Sequence, residues 1–264
     1  MSKIHASAIV DKKAELDTSV EVGPYTIIGP HVKIGRDTMI GAHCVVEGRT
    51  TIGEQNRIFQ FNSIGAIPQD KKFNNEPCEL YIGHRNTIRE FCTLNIGSPG
   101  DLGYTKLGDD NWVMAYCHFA HDCVVGNRTI FANNTQLAGH VHVGDWAILG
   151  GFTGVHQFVH IGAHSMTGIH STVTADVPPF VMCMGSPAKA RSMNFEGLKR
   201  RGWSAEKIAT IKQLYKIVYR DGLTIEQACA QMQGLVEVKP ESEADIKLLC
   251  DFLMRSKDAR GIVR

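Results

Sequence analysis

The 264-residue sequence lacks the features that would tie it to a membrane, to nucleic acid or to a disulfide framework. No apolar stretch approaches the length that spans a bilayer, and the N-terminus lacks the apolar core of a signal peptide. The 28 basic and 27 acidic residues nearly cancel, so no overall field draws the chain to a polyanion. The eight cysteines show no zinc-knuckle or CxxC spacing. We therefore expect a cytoplasmic protein with reduced thiols, no nucleic-acid partner and no transmembrane segment.

The sequence has instead an aliphatic residue at nearly every sixth position. A first run extends from Ile4 to Ile64, a short one from Ile82 to Leu94, and a third, after a shift of one residue, from Leu107 to Val173. A period of six is typical of a left-handed parallel β-helix built from hexapeptides. Three hexads would form one triangular coil, so the hexads, about 26 of them, predict eight to nine stacked coils.

The interior of such a prism is narrow, and the fifth position of each hexad must fit there beside the aliphatic first position. The fifth position carries small or β-branched residues such as Val20, Thr26 and Val32. Four of the eight cysteines occupy it: Cys44, Cys92, Cys117 and Cys123. We expect these thiols to pack as small apolar groups, and we expect histidines at the other positions to face outward.

Two segments interrupt the repeat and are predicted to be loops extruded from the prism. Residues 66–81 contain two prolines and two asparagines, and residues 96–106 contain three glycines and one proline. Loops on a rigid scaffold commonly carry function, so we expect the site on these loops and the neighbouring faces.

The repeat ends near Pro178-Pro179, and helical periodicity follows. The predicted domains are therefore a β-helix over residues 1–189 and a C-terminal helical domain over residues 190–264. Ser204, the capping box of Thr224 with Gln227, and Ser242 each precede a predicted helix of this tail.

Histidine is concentrated in the last third of the repeat. Eight of the twelve histidines lie there: His118, His121, His140, His142, His156, His160, His164 and His170. A single outward histidine is usually solvated, but a stacked file suggests either a general base with ligand-binding neighbours or a zinc site. Zinc is disfavoured because cysteine is used inside the prism and because His118 and His121 should diverge.

Four motifs resemble those of the UDP-N-acetylglucosamine O-acyltransferases of lipid A biosynthesis. They are HFAHDC (118–123), LAGHV (137–141), VHQF (155–158) and NFEGLKRRG (194–202). The resemblance covers essentially the whole chain. It implies transfer of a 3-hydroxyacyl group from acyl carrier protein to the glucosamine 3-hydroxyl of UDP-N-acetylglucosamine. It also implies no cofactor besides the phosphopantetheine carried by the donor. A homotrimer is expected by analogy with other left-handed hexapeptide helices, and no bound metal is expected.

The resemblance assigns roles residue by residue. His121 would be the general base, Asp122 its orienting partner, and the Gly139 N–H the oxyanion donor. The substrate-binding residues that it implies are Asp70 and Lys72 at the sugar and acyl ends, His140 and Gln157 at the glucosamine, and His118, His156, Asn194, Glu196, Arg200 and Arg201 at the nucleotide. Ile169 matches the position that limits acyl length, and its bulk predicts a short chain of about ten to twelve carbons.

One departure from the family and three different functions stay open at this point. Asn95-Ile96-Gly97 replaces a His-Arg-Gly found in many relatives, so no ligand contact is assigned there. A sister enzyme that acylates an amine carries an extra N-terminal domain, for which hexads starting at Ile4 leave no room. The same prism could also serve as a trimeric scaffold without activity or as a zinc hydratase. The sequence does not distinguish a 3-hydroxyl from a 3-amino acceptor sugar.

Overall fold

The computed structural model describes residues 4–264, and within this range the chain forms 27 β-strands followed by four α-helices. The strands in chain order are β1 (Ile9–Val10), β2 (Glu15–Leu16), β3 (Glu21–Val22), β4 (Ile27–Ile28), β5 (Lys33–Ile34), β6 (Met39–Ile40), β7 (Val45–Val46), β8 (Arg49–Ile52), β9 (Arg57–Ile58), β10 (Ser63–Ala66), β11 (Glu79–Ile82), β12 (Thr87–Ile88), β13 (Thr93–Asn95), β14 (Tyr104–Leu107), β15 (Trp112–Val113), β16 (His118–Phe119), β17 (Val124–Val125), β18 (Ile130–Phe131), β19 (Gln136–Leu137), β20 (His142–Val143), β21 (Ile148–Leu149), β22 (Gly154–Val155), β23 (His160–Ile161), β24 (Met166–Thr167), β25 (Thr172–Val173), β26 (Val181–Met184) and β27 (Lys189–Met193).

Every third strand joins the same sheet, so the chain winds around a triangular prism. In the described part of the chain, sheet A has nine strands from β1 to β25, sheet B has eight from β2 to β23, and sheet C has ten beginning with β3 and ending in β26 and β27. Strands of successive coils pair in parallel, as Gln136 on His118 and Gly154 on Gln136 show. The predicted left-handed parallel β-helix with a C-terminal helical region is confirmed.

The aliphatic first position of each hexad and the small fifth position fill the prism. Ile64, Leu94 and Phe131 are almost fully buried there, and an apolar side chain of this size stabilises the fold by roughly 1.5–3 kcal/mol. All eight cysteines are free and buried, including the four at the fifth position. These thiols therefore serve packing, as the hexad position predicts.

At the edge between sheets A and B, a left-handed backbone marks the fourth hexad position in three successive coils. The three residues are Asp122 (φ 59°), His140 (φ 63°) and Phe158 (φ 64°). Each turn is tied to the coil below, because His140 N–H donates to His121 O and Phe158 N–H donates to Gly139 O. The backbone thus holds this file of turns in strict register.

The two loops leave the prism at adjacent coils and are joined at their bases. They span 67–78 and 96–103 between the flanking strands, so each is shorter than the sequence predicts. The Asn95 amide donates to the carbonyls of Ala66 at 3.3 Å and Ile67 at 3.1 Å. Asn95 and Ile96 are both buried and support this junction.

An antiparallel hairpin closes the prism and leads into the helical tail. Strands β26 and β27 form it, and β27 crosses the predicted boundary at residue 189. The helices are α1 (Phe195–Arg200), α2 (Ala205–Tyr219), α3 (Ile225–Gly234) and α4 (Glu243–Lys257), with 3-10 turns at Leu235–Glu237 and Pro240–Ser242. The short helix α1 was not predicted.

Side-chain caps decide where two of these helices begin. Ser204 accepts from Lys207 N–H, and Thr224 with Gln227 forms a complete capping box, as predicted. Ser242 makes no cap and instead donates to Lys239 O. No helix in residues 4–264 combines the length and apolar character needed to cross a bilayer.

Candidate active site

The third and fourth hexad positions of the A–B edge bring the predicted chemical groups together. Residues 18 apart stack, so His121 lies beneath Gly139, and His140 lies beneath Phe158 at 4.3 Å between nearly parallel rings. Gln157, which we expected above His140, is one residue out of that register. Because Gly139 has no side chain, the His121 ring occupies the space beside it and meets the His140 ring edge-on at 4.9 Å.

A buried carboxylate holds His121. Nδ1 of His121 lies 2.8 Å from Oδ2 of Asp122, which is fully buried. The Ser98 hydroxyl donates to the same oxygen at 2.5 Å, Ser98 N–H also donates to the carboxylate, and Asp122 N–H donates to the Thr105 hydroxyl. Burial alone would raise the pKa of Asp122, but the hydrogen bonds from His121 and Ser98 outweigh it and hold that pKa below its usual value.

The charge state of Asp122 fixes the tautomer of His121. An ionised carboxylate only accepts hydrogen bonds, so His121 Nδ1 must carry the proton that it donates. In the neutral ring the lone pair is then on Nε2, the nitrogen available to take a proton from a substrate. The side chain of His121 is 16% exposed, so Asp122 holds a mostly desolvated imidazole in a defined orientation.

Gly139 contributes its missing side chain and its N–H. A Cβ at this position would lie 2.6 Å from Cε1 and 2.7 Å from Nε2 of His121, so only glycine leaves room for the ring. The Gly139 N–H donates to no group within residues 4–264. At the same edge, the N–H groups of His121 and Gln157, the third-position residues of the neighbouring coils, also donate to no group in residues 4–264. The neighbouring imidazole is therefore what distinguishes the N–H of Gly139.

His140 lies between His121 and a cavity formed with both loops. Its Nδ1 lies 2.5 Å from Oδ2 of Asp101 in the second loop and 3.9 Å from Oδ2 of Asp122. The cavity has a volume of about 410 Å³ and is lined by His140, Asp101, and Asp70 and Lys72 of the first loop. The structure therefore places three of the predicted substrate-binding residues, Asp70, Lys72 and His140, around one cavity.

His118 and His156 face a second cavity, of about 400 Å³, on the outer surface of sheet A. Nδ1 of His118 lies 2.7 Å from the Thr93 hydroxyl, and burial, aided by the nearby His121, lowers the pKa of His118. His156 is exposed, and its Nδ1 lies 3.1 Å from Gln157 O. The side chain of Gln157 is also exposed. His156 and Gln157 lie beside the A–B edge, and neither forms a hydrogen bond or ring contact with His121 in the described residues.

The predicted tail residues lie at a different edge of the same prism. Asn194 caps α1, and its amide donates to His164 O at the B–C edge. The Arg201 guanidinium donates to Trp146 O at 2.6 Å and lies over the Trp146 ring at 5.1 Å. The structure therefore does not bring Asn194 or Arg201 to His121 within one chain.

The remaining two tail residues are exposed. Glu196 pairs with Lys199 at 3.5 Å, whereas Arg200 makes no ion pair in the part of the chain that the structure describes. Ile169 lies at the C–A edge between β24 and β25 and is 62% exposed. The predicted site residues thus occupy three edges of a single prism.

His121, Asp122 and His140 also form a group whose ligand atoms lie within 4.8 Å of one another. This is the one group of its kind in residues 4–264, and it contains two histidines where a zinc hydratase requires three. Its atoms already hydrogen-bond one another or the loop residues Ser98 and Asp101. A cation would have to replace the proton between His121 and Asp122, so the arrangement favours proton transfer over metal binding.

Comparison with known proteins decides the family. Residues 176–263 match the family model described as UDP N-acetylglucosamine O-acyltransferase, domain 2, and residues 104–139 match that of the bacterial transferase hexapeptide. Acyl-[acyl-carrier-protein]–UDP-N-acetylglucosamine O-acyltransferases from Albidiferax ferrireducens and Verminephrobacter eiseniae are 66% and 57% identical over all of both chains. The chain belongs to the UDP-N-acetylglucosamine O-acyltransferase family. Membership makes it an acyltransferase, as the motifs predict.

Solved structures of the family agree along the whole chain. LpxA from Acinetobacter baumannii superimposes with a TM-score of 0.94 at 46% identity, covering 99% of this chain and 100% of the other. The UDP-N-acetylglucosamine O-acyltransferase of Moraxella catarrhalis gives the same TM-score at 43% identity, with the same coverage. A scaffold without activity is therefore set aside.

Sequence reasoning missed four residues that complete the site. Ser98, Asp101 and Thr105 support the two histidines from the second loop and the strand after it, and Phe158 stacks on His140. A strict count of 18 residues from His140 would have found Phe158. Nothing periodic marks Ser98 or Asp101, because they lie where the repeat is interrupted.

Proposed function

We propose that this enzyme transfers a 3-hydroxyacyl group from acyl carrier protein to the glucosamine 3-hydroxyl of UDP-N-acetylglucosamine, the first step of lipid A biosynthesis. His121 is the general base of a direct attack. The observation that carries this proposal is the His121–Asp122 pair, which leaves Nε2 as the basic nitrogen of a partly buried ring. The reaction needs no cofactor beyond the phosphopantetheine of the donor, and we place it in the cytoplasm.

The proton path follows from that geometry. Nε2 of His121 removes the proton of the sugar hydroxyl as its oxygen attacks the thioester carbonyl, and the resulting imidazolium is stabilised by the Asp122 carboxylate. The carbon–oxygen bond forms first, and the negative charge moves to the former carbonyl oxygen, within reach of the Gly139 N–H. The intermediate then expels the phosphopantetheine sulfur, which takes the proton back from His121.

The two loops frame the acceptor. Asp70, Lys72 and His140 line the cavity beside the base, and these groups supply the acceptors and donors that the hydroxyls of a sugar require. His118 and His156, at the second cavity, extend the polar surface toward a nucleotide. The acyl chain then follows the prism toward a limiting side chain, for which we propose Ile169.

The position of the tail supports a homotrimer. Arg200 and Glu196 belong to the B–C edge, and between that edge and His121 the face of sheet B carries His142 and His160. Both histidines are half-buried. Burial lowers the pKa of each, and the nearby positive charge of Arg255 in α4 lowers it further. A diphosphate bound beside His121 therefore meets the exposed Arg200 most simply from a neighbouring copy. We propose that three copies pack side by side, so that each cleft combines the A–B edge of one copy with the tail of the next.

The test is acyl transfer with purified substrates. Product formation and free thiol are measured with UDP-N-acetylglucosamine and 3-hydroxyacyl carrier protein, for the wild type, His121→Ala and the exposed control His31→Ala. We expect His121→Ala to lose at least ~100-fold in kcat, because a positioned base contributes about that much. Its affinity for the nucleotide sugar and its sedimentation should match the wild type.

Three results would count against the proposal. Turnover of His121→Ala close to wild type removes His121 as the base. Acylation of a 3-amino sugar in preference to the 3-hydroxyl sugar changes the acceptor. A monomeric enzyme with full activity removes the shared cleft.

A further inference from the structure

The second loop places a carboxylate on His140 that none of the roles above uses. Oδ2 of Asp101 lies 2.5 Å from Nδ1 of His140, and both residues line the cavity of about 410 Å³. The His140 side chain is only 14% exposed, whereas that of Asp101 is 44% exposed. A carboxylate on a solvent-facing loop has other positions open to it, so this contact calls for an explanation.

The shape of the loop carries Asp101 to the imidazole. Ser98 fastens the start of the loop to the buried Asp122 through its N–H and its hydroxyl. Between that anchor and β14 the chain turns at Gly100 and Gly103, whose φ angles of 98° and 71° are ones that residues with a Cβ rarely adopt. A Cβ at Gly97 would lie 2.1 Å from Tyr104 N, so the ends of the loop also approach through a glycine. The loop is therefore built to return over the A–B edge.

The carboxylate determines what His140 offers to a ligand. Because a carboxylate accepts hydrogen bonds, Nδ1 of His140 carries the proton, and Nε2 is left as the nitrogen free to bond a ligand. Phe158 fixes the ring plane by stacking at 4.3 Å, and the edge-on contact with His121 limits its tilt. Asp101 fixes the remaining choice, which is the tautomer and the orientation of the ring within that plane.

We infer that Asp101 is a positioning residue for acceptor binding, which holds His140 with Nε2 directed at the sugar in the cavity between the two loops. This inference rests on the proposed function, because it assigns the cavity to the acceptor. It also gives the two imidazoles separate supports. Asp122 orients His121 from the buried turn at the edge of the prism, and Asp101 orients His140 from the loop.

The kinetic test compares Asp101→Ala, Asp101→Asn and the loop control Leu102→Ala, which changes an exposed neighbour. We expect Asp101→Ala to raise KM for UDP-N-acetylglucosamine by about 10-fold and to change kcat by less than about three-fold. Asp101→Asn should keep most of the affinity, since an amide oxygen still accepts from Nδ1. Leu102→Ala should match the wild type, and an equal KM increase in this variant would show a general effect of the loop.

A double-mutant cycle with His140→Ala tests whether Asp101 acts through the imidazole. In the His140→Ala background, Asp101→Ala should cause no further rise in KM. A full additional rise would mean that Asp101 contacts the sugar itself, and an unchanged KM in Asp101→Ala alone would overturn the inference.

A measurement without substrate separates this inference from the proposed function. Long-range proton–nitrogen spectra of protein with ¹⁵N-labelled histidine report the tautomer of each ring, and His140→Ala assigns the signal. We expect His140 to show a protonated Nδ1 in the wild type and to lose that preference in Asp101→Ala. If the wild type has a protonated Nδ1 but does not acylate the nucleotide sugar, the proposed function fails while the contact stands. If His140 has the other tautomer, the contact itself is wrong.

Discussion

The His121 imidazole lies against the backbone of Gly139, where a Cβ would come within 2.6 Å of the ring atom Cε1. Gly139 has no left-handed φ, so an alanine there meets a steric and not a conformational obstacle. We expect Gly139→Ala to displace the His121 ring and to lower kcat by about 100-fold, a loss that a misplacement of about 1 Å can cause. Steady-state acyl transfer measures this directly.

Gly151→Ala is the matched control for that variant. Gly151 occupies the same hexad position two hexads later, at the C–A edge between β21 and β22, and its added Cβ would have Asn133 O at 3.3 Å as its nearest neighbour. Turnover within about two-fold of wild type is expected for Gly151→Ala. If Gly139→Ala also retains wild-type turnover, His121 does not require its observed position.

Replacing either of the two adjacent arginines of the tail should have a different effect: Arg201→Ala should lower stability, and Arg200→Ala should weaken UDP binding. Arg201 donates to Trp146 O at 2.6 Å and stacks on the Trp146 ring, and burial lowers the pKa of its guanidinium. Arg200 is exposed and has no ion pair in the described residues. We expect Arg201→Ala to cost about 2 kcal/mol of stability, since a hydrogen bond from a charged group contributes about that much. Arg200→Ala should keep the melting temperature and weaken binding of UDP.

Thermal unfolding and UDP titration on both variants separate these effects. Lys199→Ala serves as the control for removing one positive charge from the same helix, because its only ion pair in the described residues is an exposed one with Glu196. Equal UDP affinity in Arg200→Ala and wild type would remove Arg200 from the nucleotide site.

The fold was predictable because the hexad repeat is redundant, whereas the site depends on single residues. Any few of the aliphatic positions would have indicated the prism, and the position of each cysteine within its hexad predicted its burial. The partners of His121 and His140 were only half predictable. Asp122 adjoins His121 in sequence, but Ser98 and Asp101 reach the site from a loop whose path follows from three glycines and from tertiary contacts. No local pattern in the sequence encodes that path.

The tail shows the same limit at a larger scale. A family motif named Asn194 and Arg201 as ligand residues, but it could not place them at a different edge from His121. Within the repeat, counting hexads tells which edge of the prism a residue occupies. Asn194 and Arg201 follow the hairpin of β26 and β27, where the hexad period has ended, so such a count cannot place them.

Stability should fall as the pH falls from neutral because His160 is held neutral in the folded chain. Burial, aided by Arg255 and His142, lowers the pKa of His160 to about 3. The unfolded chain takes up this proton near pH ~6.5, so it binds more protons than the folded chain between these values. The contribution of His160 is therefore complete above pH ~6.5 and is lost progressively as the pH falls toward the folded pKa.

His160→Leu should make the melting temperature less sensitive to acid between about pH 7.5 and pH 5. Leucine also removes Nδ1 of His160, which is buried without a hydrogen-bond partner in the described residues. Asp176, whose carboxylate accepts from His160 N–H and whose pKa is raised by burial, contributes with the opposite sign. The comparison is therefore the difference between variant and wild type, with the exposed His31→Leu as control. An unchanged pH dependence in His160→Leu would contradict this account.

Ile169 should set the length of the transferred chain if the acyl group reaches the C–A edge of a neighbouring copy. Its side chain is 62% exposed in the single chain, so it is free to close the end of an acyl groove formed between two copies. We expect Ile169→Gly to shift the preferred donor upward by about two to four carbons, because removing the side chain extends the groove. Competition among acyl carrier proteins loaded with 3-hydroxyacyl chains of different lengths measures the shift. Ile9→Gly removes an equally exposed isoleucine at the far end of the prism and should leave the preference unchanged. An unshifted preference in Ile169→Gly would place the end of the acyl groove elsewhere.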